Sequence, residues 1–219
     1  MSIFFYQLKN ILMKIEKIIL LYRKYGKINK GGFGMREKIM IDMDDVITKG
    51  GFLYLLNQYL HTNYQEEDFT GFYMQDILPD KKAFFDWFFN QNLYDYCKLL
   101  PNAYEVLEKL NKEYDIYIGT AYLFREEPEK CGIILQQKFN YLIETLPFIH
   151  PSQYIFLTDK SLLNCDIKID DRIKNLKNAK RKLLFTAYHN QSLSKEDLDK
   201  QNVERVNNWK DIEKILIKR

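Results

Sequence analysis

The stretch "KIMIDMDDVITKGG" at 38–51 drives a short apolar segment into three acids, Asp42, Asp44 and Asp45. Carboxylates this close repel one another and are costly to desolvate. The knot is therefore either a solvated turn or the rim of a site that holds positive charge. It is not a calcium loop. Val46 stands where the EF-hand pattern needs Asp or Asn, and no glycine follows in register.

Four further apolar runs resemble "KIMID" (38–42): "YDIYIG" (114–119), "YIFLT" (154–158), "CDIKID" (165–170) and "KLLFT" (182–186). Each is short and continuously apolar, as buried strands of a parallel sheet are. Helical patterns lie between and after them. "AYEVLEKLNKEY" (103–114) places Tyr104, Val106, Leu107 and Leu110 on one face. "EPEKCGIILQQKFNYLIETL" (127–146) follows the second run, "SKEDLDKQ" (194–201) opens on a serine suited to an N-cap, and "WKDIEKILIKR" (209–219) ends the chain. Alternating strands and helices predict an α/β fold, a Rossmann-like doubly wound parallel sheet.

Residues 51–101 break the alternation. No convincing strand stands out there, but Phe69, Phe72, Tyr73, Phe84, Phe85, Trp87, Phe88, Phe89, Tyr94 and Tyr96 do. The segment reads as a small helical cap inserted after the first strand. Its aromatics serve as a helical core or line a pocket over the end of the sheet. The organisation expected is an extension at 1–34, an α/β core from 35–50 and 102–219, and the cap at 51–101.

Bulk composition bounds the function. The 219 residues are 46% hydrophobic and 29% charged, which suits one core domain with an insertion. Only 9 glycines and 5 prolines argue against low complexity. Cys97, Cys131 and Cys165 form no CxxC pair, so neither a disulfide framework nor a zinc site is expected, and a cytoplasmic setting fits. Residues 1–34 hold seven bases and one acid, leaving 26 bases and 29 acids in the rest. The mildly acidic body carries no footprint for a nucleic-acid polymer.

The first segment stands apart. Apolar residues at 4, 8, 11, 12, 15, 18, 19 and 22 have helical spacing, but charges interrupt them. The uncharged stretch is too short to span a membrane, so no firm membrane association is expected, although a basic amphipathic helix could rest on a lipid surface or a partner. "KGGFGM" (30–35) back-translates to a purine-rich stretch like a bacterial ribosome-binding site ahead of a start codon. That reading puts the native start at Met35.

In open α/β sheets ligands bind at the carboxyl ends of the strands. The first strand ends in Asp42 and Asp44, the second in Thr120, and the fourth in Asp170 and Asp171; Lys160 follows the third. Carboxylates from two strands can hold a hard cation such as Mg²⁺. The cation, the lysine and the hydroxyl can bind phosphoryl oxygens, and one carboxylate can attack phosphorus. Asp42 and Asp44, two apart, can point the same way, one attacking while the other handles the leaving group's proton. Taken singly, "DMDD" is a turn, "DD" a helix cap before "RIKNL", and Lys160 a solvated lysine. The set in order carries more than its parts.

That order resembles the haloacid dehalogenase superfamily of phosphatases. "DMDDV" matches its DxDx[TV] motif, and Thr120, Lys160 and the "DD" of 170–171 match the three that follow. More narrowly, "FLTDKSLLNCDIKIDDRIKNL" (156–176) and "LLFTAYHN" (183–190) are similar to segments of the 5'(3')-deoxyribonucleotidases and their bacterial relatives. The resemblance covers most of 36–210. It implies an Mg²⁺-dependent phosphomonoesterase acting on a small-molecule phosphate ester, a (deoxy)nucleoside monophosphate. It implies that Asp42 forms an aspartyl-phosphate and that Asp44 protonates the leaving oxygen and then activates water. Thr120 and Lys160 would bind the phosphoryl group, with Asp170 orienting the lysine. The ion would sit on Asp42, the main-chain carbonyl of Asp44, and an acid of 170–171, Asp171 ahead of Asp170.

Three features depart from the pattern. Asp45 stands where many relatives have glycine, Ala121 where many have serine, and "TKGG" (48–51) is unusual after the first motif. Alternatives are a phosphatase for another small ester, phosphoryl transfer to a different acceptor, a dehalogenase, or a non-catalytic binding protein on the same fold. A dehalogenase needs neither Asp44 nor the Asp170–Asp171 pair, and a binding protein is expected to have lost a motif position. Self-association into a homodimer is left open. His61 and His150 read as loop or surface residues, and His189 as lying near the cap or sheet edge.

Overall fold

The segment "KIMI" forms strand β1 (Lys38–Ile41), and its residues 39–41 are all buried. A strand apolar on both faces needs cover on both, which places it at the centre of a layered sheet. The computed structural model describes residues 36–217. The helix expected at 3–22 and the start expected at Met35 lie outside the described residues.

β1 is flanked by β4 (Asp115–Thr120) and β6 (Cys165–Asp170), parallel to both. Ile41 lies opposite Ile118 on one side and Ile169 on the other. β4 and β6 run slightly past the end of β1, to Thr120 and Asp170, and Asp42 N donates to Ile169 O at 2.9 Å as β1 leaves the sheet. β5 (Tyr154–Phe156) lies outside β4; β7 (Ala179–Phe185) and β8 (Glu204–Val206) lie outside β6. The order β5-β4-β1-β6-β7-β8 puts a switch in direction beside β1, where a crevice opens at the carboxyl edge. Gly119 permits close packing there. A Cβ on it would come within 2.6 Å of Met40 Sδ on the adjacent strand.

All five expected strands are present. β7 starts earlier than its apolar run because Ala179 and Arg181 pair with β6 while only partly buried or exposed. β8 was not foreseen: three residues with one buried show no apolar run. Helix α3 (Ala103–Glu113) buries Val106, Leu107 and Leu110, and α4 (Gly132–Thr145) follows a 3-10 turn at Pro128–Lys130. α5 (Lys195–Asp199) is capped by Ser194, whose hydroxyl accepts from Asp197 N. α6 (Trp209–Leu216) buries Trp209, Ile212 and Leu216, spaced along one face. Trp209 Nε1 donates to Val46 O at 2.8 Å, so the last helix secures the loop after β1. Truncating that indole to alanine would cost about 3–5 kcal/mol.

The segment 51–101 holds α1 (Gly51–Leu60), α2 (Lys81–Phe88) and several 3-10 turns. Contrary to the expectation of no strand, Lys98–Leu99 (β3) pairs antiparallel with Thr48–Lys49 (β2). Two residues, one of them exposed, give no periodic signal. This ribbon accounts for "TKGG". Gly50 has φ +97°, and a Cβ on Gly51 would lie 2.5 Å from Leu93 O. Both positions need glycine for the chain to turn from β2 into α1. Phe84, Phe85 and Phe88 are buried together against Phe124, which follows β4. Each such ring contributes about 2–3 kcal/mol of apolar burial.

Candidate active site

Asp42, Asp44, Thr120, Lys160, Asp170 and Asp171 converge at the carboxyl edge of the sheet formed by β1, β4 and β6. Lys160 Nζ lies 2.6 Å from Asp42 Oδ2 and 2.8 Å from Asp170 Oδ2, with all three side chains buried or nearly so. Burial alone would lower the Lys160 ammonium, but Asp42 and Asp170 hold it above its ordinary value. Burial pushes Asp42 up to about 7; Lys160 pulls it down, while Asp170 and Asp44 push it further up. Burial and the neighbouring Asp170 raise Asp171 well above the carboxylate range.

The lysine is itself clamped. Lys168, wholly buried in β6, donates to Lys160 O at 2.8 Å and Lys177 O at 2.6 Å. Asp170 Oδ1 accepts from Arg172 N and from Asn175 Nδ2, each at 2.9 Å. The cap-like bond to Arg172 and the bond to Lys160 thus use different oxygens of one carboxylate.

Asp44 belongs to a second network. Its Oδ1 accepts from Tyr94 Oη at 2.7 Å, and its Oδ2 accepts from Lys138 Nζ. Lys138 also donates to Thr120 Oγ1 at 2.6 Å, so one buried ammonium joins the acid to the hydroxyl. The sequence reading missed Lys138. A signal existed: Ile134, Lys138 and Leu142 are the buried residues of α4, so a lysine stands in the middle of an i, i+4, i+8 apolar stripe. Tyr94 was noted only as one of many aromatics.

Asp45 has φ +59°, in the left-handed region that glycine favours and Asp or Asn tolerates. The glycine that the family resemblance leads one to expect here would suit the same conformation. Burial raises its carboxyl to about 7, with Asp44 adding to the rise. His189 hydrogen-bonds Asp171 at 2.6 Å, and burial lowers its imidazole to about 4. It lies at the site with its ring against Phe72 of residues 51–101, the first of the two places expected for it. His61 is exposed in a left-handed cap and His150 caps a 3-10 turn, both in loops.

A cavity of about 420 Å³ opens over these groups and is lined by Asp42, Asp44, Lys138, Lys160 and Asp171 at one end. Of the ten aromatics singled out in 51–101, only Phe72, Tyr73 and Tyr94 reach it; Phe52 and Phe124 also line it. The volume is within the range of small-molecule sites.

The donor set suits a hard divalent cation. Oxygens of Asp42, Asp170 and Asp171 lie within 4.8 Å of one another. Lys160 is the ammonium bonded to two of these three acids, which leaves negative charge to be offset.

A parallel six-stranded sheet with its acids at the carboxyl edge defines a hydrolase fold of the haloacid dehalogenase type. A haloacid dehalogenase-like family hydrolase from Streptococcus pneumoniae has the same fold, with a TM-score of 0.51 at 14% identity, over 82% of this chain and 98% of that one. The chain belongs to the family described as 5' nucleotidase, deoxy (pyrimidine), cytosolic type C protein, whose sequence profile matches residues 36–219. It is 30% identical to a Staphylococcus epidermidis protein named "Putative 5'(3')-deoxyribonucleotidase", over 81% of this chain and 94% of that one. It is 26% identical to the 5'(3')-deoxyribonucleotidase of Bacillus subtilis, over 84% of this chain and all of that one. The chain is accordingly a phosphomonoester hydrolase. Among the described residues no helix is long and apolar enough to cross a membrane.

Proposed function

We propose that the enzyme hydrolyses a deoxynucleoside monophosphate in the cytoplasm through a phosphoryl group carried transiently on Asp42. The observation that carries this reading is the pairing at the end of β1. A buried carboxylate, Asp42, touches the single ammonium of Lys160, and two residues on a second carboxylate, Asp44, is held by Lys138 and Tyr94. Asp42 attacks phosphorus as the bond to the nucleoside oxygen breaks, and a protonated Asp44 gives its proton to that oxygen. Asp44 then takes a proton from water, whose oxygen attacks phosphorus. The bond to Asp42 breaks, inorganic phosphate leaves, and both side chains return to their starting states. Lys160 and Thr120 hold the phosphoryl oxygens, and Asp170 keeps Lys160 pointed at them. Mg²⁺ held by Asp42, Asp171, the main-chain carbonyl of Asp44 and, in a lesser role, Asp170 would supply the remaining positive charge that three carboxylates and a phosphoryl group call for.

Residues 51–101 act in this reading as a cap over base and sugar, with Phe72 and Tyr73 offering stacking faces. The names carried by the staphylococcal and Bacillus subtilis relatives support a deoxynucleotide substrate. The test is phosphate release from an aryl phosphate and from a nucleotide panel, with and without Mg²⁺, for the parent and Asp42→Asn. The variant should fold and release no phosphate; a variant that keeps its activity would refute the nucleophile.

A further inference from the structure

The 3-10 turn at Tyr188–Asn190 grips Asp171 twice. His189 Nε2 meets Asp171 Oδ2 at 2.6 Å, and Asn190 Nδ2 donates to Asp171 O at 2.8 Å. Asn190 Nδ2 also donates to Phe185 O at 2.8 Å, so the grip is anchored at the end of β7. The two side chains of the His189–Asp171 contact are only 7% and 3% exposed, so water does not compete for it.

The imidazole is fixed from other sides. Phe72 meets it edge-on with centroids 4.9 Å apart, and Tyr188 does so at 5.0 Å. Phe72 is in turn covered by the Arg172 guanidinium at 3.9 Å, and its carbonyl accepts from Tyr188 Oη at 2.7 Å. A ring held this way cannot follow Asp171 if the carboxylate swings.

We propose that His189 is a positioning residue for the cation site: it occupies one oxygen of Asp171 and leaves the other to ligate the metal beside Asp42 and Asp170. The inference rests on the cation reading above. With the carboxylate ionised, Nε2–H donates and fixes the plane of the group, as partners behind metal-ligating side chains do. Asp45 also falls within 4.8 Å of Asp171 and His189. A nitrogen with two oxygens is not the all-oxygen set that Mg²⁺ prefers, and the nitrogen facing Asp171 is already engaged.

The experiment is calorimetric titration of the metal-free full chain with Mg²⁺ alone, for the parent, His189→Phe and His189→Gln. Circular dichroism and thermal unfolding in chelator verify the fold. His189→Phe should weaken Mg²⁺ binding about 10–100-fold. His189→Gln, whose amide restores an N–H, should recover most of that affinity, a rescue that a purely structural role for the ring would not produce. If the Phe variant does not fold, His189→Asn, too short to make the contact, serves the same comparison. Equal affinity in parent and Phe or Asn variant overturns the inference alone. Two bound ions in the parent, one of them lost in His189→Gln, also overturn it, because His189 would then be a ligand. No Mg²⁺ binding by the parent overturns the cation reading and the inference together.

Discussion

Replacing Lys138 with methionine separates a role for Asp44 in proton transfer from a role in charge alone. The ammonium is 3% exposed and donates to Asp44 Oδ2 and to Thr120 Oγ1. Removing one member of a fully buried pair costs about 3–5 kcal/mol. Asp44, however, is 46% exposed, so water recovers most of that and about 1 kcal/mol remains. The wholly buried Thr120 hydroxyl loses a partner, for about 1 kcal/mol more. Methionine keeps the apolar contacts of the stem, so the net loss is about 1–2 kcal/mol, or a fall in Tm of roughly 2–8 °C. The chemical effect is larger. Asp44 is left with Tyr94 as its hydrogen-bond partner, and a general acid contributes about 10²–10⁴-fold. In the first turnover, release of nucleoside from a deoxynucleoside monophosphate should slow about 100-fold. An aryl phosphate with a stable leaving anion needs no proton in that step, and its release of phenol should slow less than about 10-fold. Pre-steady-state release from the two esters measures the contrast, because the later step in which Asp44 activates water is common to both. Equal slowing of first-turnover release on both, or none on the nucleotide, would refute the acid role assigned to Asp44.

Three further outcomes follow from the same contacts. Because Asp42 is raised from 3.8 to about 7 by burial, the native state holds its proton more tightly than the unfolded chain does. Metal-free stability should therefore fall as pH rises from about 4 to about 7, Asp42 contributing up to about 4 kcal/mol and the raised carboxyls of Asp45 and Asp171 adding to the fall. Mg²⁺ should reduce that slope in urea titrations; a flat metal-free profile would count against burial as the force that raises Asp42. Lys168→Met takes the ammonium donor from the carbonyls of Lys160 and Lys177, leaving Lys160 O with only the 3.4 Å bond from Leu163 N. It should cost about 2–3 kcal/mol in denaturant unfolding and raise KM as the Lys160 turn loosens. Tyr94→Phe takes the hydroxyl from Asp44 Oδ1 and should lower kcat about 5-fold while leaving Mg²⁺ affinity unchanged, which calorimetry with Mg²⁺ checks.

The sheet was legible because its strands are short runs buried on both faces, and "KIMI" next to "DMDD" located its working edge. The edge strand Glu204–Val206 and the ribbon of Thr48–Lys49 with Lys98–Leu99 were not, since two or three half-exposed residues carry no period. The motif acids and Lys160 were readable as strand-end residues. Lys138 was not readable as a partner of Asp44, although 94 positions apart in the chain they meet in space. Helical spacing marked it only as a lysine among core positions. Asp45 was puzzling as a charge and becomes intelligible as a backbone conformation. The division of labour in "YHN", His189 to the carboxylate of Asp171 and Asn190 to its carbonyl, depends on a fold that brings residue 171 to residue 189.

The central claim is that Asp42 carries the phosphoryl group. Rapid acid quench of the enzyme during turnover of a deoxynucleoside monophosphate, followed by peptide mass spectrometry, tests it most directly. The account predicts one added phosphoryl mass on the peptide containing Asp42, localised to that residue and absent in Asp42→Asn. Full turnover with that peptide unmodified at every quench time, or with the added mass on Asp44, would contradict it.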